Sequence, residues 1–202
     1  STTVTYTYGE NGIRLTKTVG STKHKYNYDG STLISVEYDN VIIVYVYGDD
    51  GTPIGYRYRT SSYAANTFDD YLYLKNMQGD IIKIYSASGT QVAEYVYDAW
   101  GNHAVLDANG ADIASETHIG NRNPFRYRGY FYDVETGLYY LKTRYYDPET
   151  GRFITIDGIE YLDPEIINGL NLYAYCGNNS AMNVDPTGMQ VSTHAVTVIF
   201  SI

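Results

Sequence analysis

Phenol rings and guanidinium groups dominate the chemically equipped residues of this 202-residue chain. It holds 25 Tyr against 5 Phe and 1 Trp, a demand for phenols and not for aromatics in general. Rings lining a groove can stack on sugars or on the bases of single-stranded nucleic acid. Arg alternates with aromatics along Asn121-Arg122-Asn123-Pro124-Phe125-Arg126-Tyr127-Arg128-Gly129-Tyr130, and Arg144 and Arg152 follow. That pattern fits an RNA surface, and it fits better Arg stacked on Tyr faces within a sheet. Other chemistries find little support. His24, His103, His118 and His194 lack metal-ligand spacing, and the single Cys176 forms neither an intrachain disulfide nor a multi-Cys zinc site. No Gly-rich phosphate loop, Ser elbow or EF-hand pattern occurs. The residues therefore predict no metal and no cofactor.

Composition narrows the partners further. Charged residues are 18% of the chain and the net charge is -9, which does not favour a nucleic-acid surface. A hydrophobic content of 44% is that of a globular chain and not of a disordered one. No run of about 18 apolar residues exists, so no membrane-inserting helix is expected. Residues 1–12 show no basic or apolar stretch of a secretory signal, so the signal, if one is used, is expected upstream of this segment.

The elements that would position these side chains are short strands. Tyr-x-Tyr occurs at Tyr6/Tyr8, Tyr26/Tyr28, Tyr45/Tyr47, Tyr56/Tyr58, Tyr71/Tyr73 and Tyr95/Tyr97. A spacing of two puts both rings on one face of a strand. Asp, Asn and Gly follow several of the pairs, as in Gly9-Glu10-Asn11-Gly12, Gly48-Asp49-Asp50-Gly51 and Asp98-Ala99-Trp100-Gly101. Those residue types suit turns with positive φ. The pattern predicts consecutive antiparallel hairpins over residues 1–118, with strands near 41–47, 71–77, 80–85 and 91–97. Glu-Thr-Gly recurs at Glu135-Thr136-Gly137 and Glu149-Thr150-Gly151 beside Tyr-rich strands, which reads as a duplicated hairpin. Residues 159–170 read as a short helical turn.

The residues then resemble a known family. Tyr97-Asp98-Ala99-Trp100-Gly101-Asn102 is similar to the signature of Rhs/YD-repeat proteins. So are Gly137-Leu138-Tyr139-Tyr140, Arg144-Tyr145-Tyr146-Asp147-Pro148 and Gly151-Arg152-Phe153. Asn171-Leu172-Tyr173-Ala174-Tyr175, Asn178-Asn179 and Asp185-Pro186-Thr187-Gly188 complete what resembles the Rhs-associated core domain. The resemblance implies an all-β fold: a twisted, curved strip of hairpins forming part of a YD-repeat shell and ending in a compact core or plug domain. It divides the chain into YD-type repeats over 1–118, a core domain over 119–189 and the start of a variable region over 190–202, where Val196 to Phe200 suggest a strand. It also implies partners: the chain's own C-terminal toxin or cargo segment and an upstream shell. The expected setting is a longer bacterial protein, secreted or held at the cell surface.

The same resemblance implies chemistry. Many family members cut themselves once, in the manner of aspartyl proteases, after the Asp-Pro-x-Gly motif. Here that bond is Met189–Gln190. The implied carboxylates are Asp157 and Asp185, with Asp163 of Asp163-Pro164 competing with Asp157, which is followed by Gly158. One carboxylate acts as base on a water while the other supplies a proton. The resemblance assigns Arg152 to orient a carboxylate or polarise the carbonyl. On the residues alone, Asp-Gly and Asp-Pro are equally ordinary turn formers. A different class of function stays open: a non-proteolytic surface scaffold for adhesion or carbohydrate contact. A protease acting on other proteins is disfavoured, because a plug offers no cleft. Unpaired sheet edges could also pair two chains.

Overall fold

The computed structural model describes residues 3–156, 171–189 and 191–193. The expected helical turn over 159–170 and the strand over 196–200 lie outside the described residues. Ten strands follow one another in chain order: β1 (Val4–Tyr8), β2 (Arg14–Val19), β3 (Thr22–Asp29), β4 (Thr32–Tyr38), β5 (Val41–Tyr47), β6 (Pro53–Thr60), β7 (Asp69–Lys75), β8 (Ile81–Ser86), β9 (Gln91–Tyr97) and β10 (His103–Leu106). Each pairs antiparallel with the next, giving one ten-stranded meander. All six Tyr pairs sit within these strands.

Alternation decides which face is buried. Tyr26, Val36, Ile43, Tyr45, Tyr56, Tyr58, Ile84, Ala93 and Tyr95 form one core, while Val46, Leu72 and Val96 face outward. The register slips at Thr7/Tyr8, Asn27/Tyr28, Val46/Tyr47, Leu74/Lys75 and Ile84/Tyr85, each beside a hairpin turn. Such bulges bend a strand and increase its twist.

The later segment fills the strip's Tyr face. It runs through a single helical turn, α1 (Ile119–Arg122), and a four-stranded sheet of β11 (Phe131–Asp133), β12 (Leu138–Tyr140), β13 (Tyr145–Asp147) and β14 (Arg152–Phe153). The Glu-Thr-Gly repeats are the turns of β11–β12 and β13–β14, as the duplication predicts. Phe125, Phe131 and Tyr140 join the strip's own core. A second core gathers Tyr127, Tyr130, Tyr139, Leu141, Tyr146, Phe153, Tyr175 and Cys176 against Trp100. The interleaved Arg residues stack as expected on rings: Arg126 on Tyr132 at 4.7 Å and Arg128 on Tyr127 at 5.1 Å.

Phenol hydroxyls dock the two parts. The turn at Asp98-Ala99-Trp100-Gly101 offers three successive carbonyls. Tyr127 Oη donates to Ala99 O at 2.9 Å, Tyr146 Oη to Trp100 O at 2.7 Å and Tyr139 Oη to Gly101 O at 2.9 Å. Ser180 Oγ adds a bond to Ala99 O at 2.7 Å. Gly101 has φ +94, and a Cβ there would meet the Tyr127 ring at 2.7 Å, so this turn requires glycine. At the other end of the strip, Arg14 and Lys17 of β2 both reach Asp133 of β11.

This packing holds two histidines neutral. Burial, then the Arg126 charge, lowers His103 to about 3. Burial, then Lys17, lowers His24 to about 4, its ring stacked on Tyr38 at 4.3 Å. Both folded values lie below the ordinary one, so on acidification the unfolded chain binds protons first. The stability each contributes is full above about pH 6.5 and is lost as pH falls toward the folded value, at about 1.4 kcal/mol per pH unit. Urea unfolding between pH 7 and 5 should show that decline, and His103→Gln should make it shallower. An unchanged slope in the variant would refute the assignment.

Candidate functional site

The site is built where the second core meets the end of the described chain. β15 (Asn183–Val184) pairs with β16 (Ser192–Thr193), and the Asp185-Pro186-Thr187-Gly188 turn lies between them. Asp185 is buried, 1% exposed. Its Oδ1 accepts the backbone N–H of Gly188 at 2.8 Å and of Met189 at 3.1 Å. A carboxylate closing its own turn in this way is an Asx-type cap. Its Oδ2 accepts from Arg144 Nη2 at 3.4 Å.

Arg144 gathers the turn. Its Nε–H donates to Gly188 O, and its Nη1 donates to Leu172 O at 3.2 Å. The guanidinium carbon lies over the Phe153 ring, 3.6 Å from its centroid. Thr143 Oγ1 donates to Thr187 O at 2.7 Å, fixing the same turn from its outer side. Gly188 has φ +78 and sits against this wall: an added Cβ would meet Thr143 Oγ1 at 2.8 Å and Leu141 O at 3.0 Å. Below the turn, burial pushes the Cys176 thiol up to about 12, with bonding from Tyr175 and the Asp185 charge as lesser influences. That thiol is protonated at neutral pH and is no nucleophile.

Of the residues singled out from sequence, Asp185 and Met189 meet in this turn. Arg152 does not join them: it lies on β14 with its side chain exposed, while its neighbour Phe153 is buried. The guanidinium on Asp185 and Gly188 belongs to Arg144. Alternation carries the signal for this: Arg144 is two residues from Tyr146, which is fully buried, so both point to the core. Asp157, Asp163 and Gln190 lie outside the described residues. Among the described residues no cluster of His, Cys, Asp and Glu could hold a metal ion.

Fold and site together define a class: a Tyr-paired β-strip whose Tyr face is filled by a hydroxyl-docked core ending in an Asp-capped turn. A family model of the teneurin YD-shell matches residues 65–182. The tRNA nuclease WapA of Bacillus subtilis (strain 168) is 42% identical over 188 residues, covering 91% of this chain and 7% of that protein. The toxin protein Tse5 of Pseudomonas aeruginosa is 41% identical over 77 residues, covering 38% of this chain and 5% of that protein. The crystal structure of TcdB2-TccC3-Cdc42 aligns with a TM-score of 0.70 at 21% identity, covering 92% of this chain and 9% of that one. The Photorhabdus luminescens Tc holotoxin pore aligns with a TM-score of 0.66 at 19% identity, covering 97% and 9%. At those identities the two structures establish the fold. The chain belongs to the Rhs/YD-repeat family, whose YD-shell fold it carries. It spans less than a tenth of the length of these relatives.

Proposed function

We propose that the chain is a stretch of shell wall with its core domain, within a longer bacterial Rhs protein that is secreted or surface-associated. In this reading it encloses a C-terminal toxin or other cargo and frees it by a single self-cleavage at Met189–Gln190. The observation that carries this is the buried Asp185 carboxylate, bonded to the N–H groups of Gly188 and Met189 directly ahead of that bond. The toxin setting is supported by the similarity to WapA and Tse5. Strand β1 is an open edge of the strip, suited to an upstream strand or to a second chain.

In the proposed step Asp185 works with a second carboxylate, Asp157 or Asp163. One takes a proton from water as the oxygen adds to the Met189 carbonyl carbon. The other gives a proton to the Gln190 nitrogen as the C–N bond breaks. Met189 then ends in a carboxylate and Gln190 begins with an amine. Arg144 holds the Gly188 carbonyl and the Asp185 carboxylate, so it orients both the bond and the base. In this assignment Arg144 takes the role that the resemblance gave to Arg152.

Intact mass spectrometry of the chain carrying a C-terminal tag tests this. The expected product ends at Met189. Asp185→Asn should abolish it and Arg144→Gln should slow it at least about 100-fold, because preorganised charge is lost at the reacting group. Arg152→Gln should cut as the parent does. An uncut parent leaves the other reading, a scaffold for adhesion or carbohydrate contact, in which Asp185 only caps its turn.

A further inference from the structure

Asp185 is held from behind as well as from the front. The Tyr130 hydroxyl accepts the Asp185 backbone N–H at 3.2 Å and also receives the Tyr175 hydroxyl at 3.2 Å. Both rings are buried, Tyr175 completely. Burial raises both phenols above their ordinary range, so they are neutral hydrogen-bonding groups and not proton carriers. The Tyr175 ring lies 4.0 Å from that of Tyr146 and 5.8 Å from that of Phe153, the ring beneath the Arg144 guanidinium. The floor that orients Arg144 therefore also orients the two phenols.

A buried N–H must find an acceptor or carry its desolvation penalty. Tyr130 supplies the acceptor for the residue whose side chain meets the next turn of chain. Asp185 is thus fixed at both ends: its backbone by Tyr130, its carboxylate by Arg144 and by the N–H groups of Gly188 and Met189. Moving either end moves the carboxylate relative to the Met189 carbonyl.

We propose that Tyr130, held in place by Tyr175, is a positioning residue for the self-cleavage, setting where the Asp185 carboxylate stands against the bond to be cut. This rests on the self-cleaving reading above. The role needs the hydroxyl and not the ring. Phe at position 130 would keep the packing against Tyr127, Tyr139 and Tyr175 and lose only the acceptor.

The test uses the tagged chain made in a cell-free system, with the fragment ending at Met189 followed over time by intact mass. Tyr130→Phe should fold to the same thermal midpoint within a few degrees and cut roughly 10-fold more slowly, the effect of one hydrogen bond on the reacting geometry. Tyr175→Phe keeps the Tyr130–Asp185 bond and should slow cutting less. The dependence of the rate on pH separates positioning from mere structure. Among the described residues Arg144, Cys176 and Tyr130 lie around the carboxylate, and the second carboxylate of the proposed pair, Asp157 or Asp163, is the same in parent and variant, so these changes alter no charge near neutrality. A carboxylate that loses alignment with its N–H donors is less well stabilised when ionised, so the acid limb in Tyr130→Phe should move to higher pH. Cutting at the parent rate with the parent pH profile overturns the proposal. So does a slowing that merely follows lost stability with the profile unchanged. A parent that never cuts overturns the self-cleaving reading itself, and is seen before any variant is made.

Discussion

Asp133→Asn should destabilise the chain by about 3–5 kcal/mol, the cost of removing one partner from a buried ion pair. Asp133 is fully buried in β11 and meets two cations from β2. Lys17 Nζ lies 3.0 Å from its Oδ1 and also reaches Glu135 at 2.7 Å, while Arg14 binds its Oδ2. Arg14 is itself 1% exposed and lies among the rings of Tyr26, Phe131 and Tyr140, at 4.6, 4.9 and 4.4 Å. Those ring faces favour a cation, but they do not replace a carboxylate. Removing the charge of Asp133 leaves one buried guanidinium and one buried ammonium facing a neutral amide. Glu135, partly exposed, can answer only the ammonium. Removing Arg14 instead leaves Asp133 paired with Lys17, so Arg14→Met should cost less. Combining the two should recover part of the loss, because the unpaired guanidinium goes with it. Urea denaturation of the single and double variants measures this. A loss under 1 kcal/mol for Asp133→Asn would show that water reaches the pair.

The contrast between these contacts and the strip explains what was legible in the sequence. Six of the ten strands, β1, β3, β5, β6, β7 and β9, carry a Tyr pair, and Gly, Asn and Asp mark turns between strands, both local signals. Curvature was not legible from them: bulges fall at Tyr8, Tyr28 and Tyr47, the second Tyr of three pairs, whereas Tyr58, Tyr73 and Tyr97 hold the same place with no slip in register. The docking was hidden by distance. Arg14 and Asp133 are 119 residues apart, and no spacing rule links a phenol at 139 to a carbonyl at 101. The Tyr count therefore had two sources. Rings such as Tyr26, Tyr45 and Tyr56 fill the strip's face, whereas Tyr127, Tyr139 and Tyr146 also serve as hydroxyl donors to one turn. At the site, the motif around Asp185 was legible and the companion guanidinium was not. Arg144 and Arg152 each precede an aromatic residue at the start of a short strand, and the in–out alternation against Tyr146 and Phe153 distinguishes them.

Gly188→Ala should stop the proposed self-cleavage almost completely while leaving the fold in place. Gly188 is one residue ahead of Met189 and adopts φ +78, a conformation that costs an L-residue roughly 1–2 kcal/mol. Strain alone would be tolerable. The added methyl, however, faces Thr143 Oγ1 at 2.8 Å, Leu141 O at 3.0 Å and Arg144 N at 3.3 Å, and two of those three are backbone atoms that cannot swing away. The turn must therefore retreat from the wall. Retreat breaks the Thr143 bond to Thr187 O and pulls the Gly188 carbonyl from Arg144. It also draws the Gly188 and Met189 N–H groups off Asp185, so bond and carboxylate lose register together. A displacement near 1 Å is enough to slow a positioned reaction about 100-fold. Of the second core, only the Leu141 carbonyl is among the three nearest contacts of the added methyl and none of the Tyr rings is, so the thermal midpoint should fall only modestly. Thr143→Gly in the same chain removes the tightest of the three contacts, leaving Leu141 O and Arg144 N, and should restore part of the cutting. Rescue by that second change, read as the return of the fragment ending at Met189, is the outcome a general loss of folding could not give.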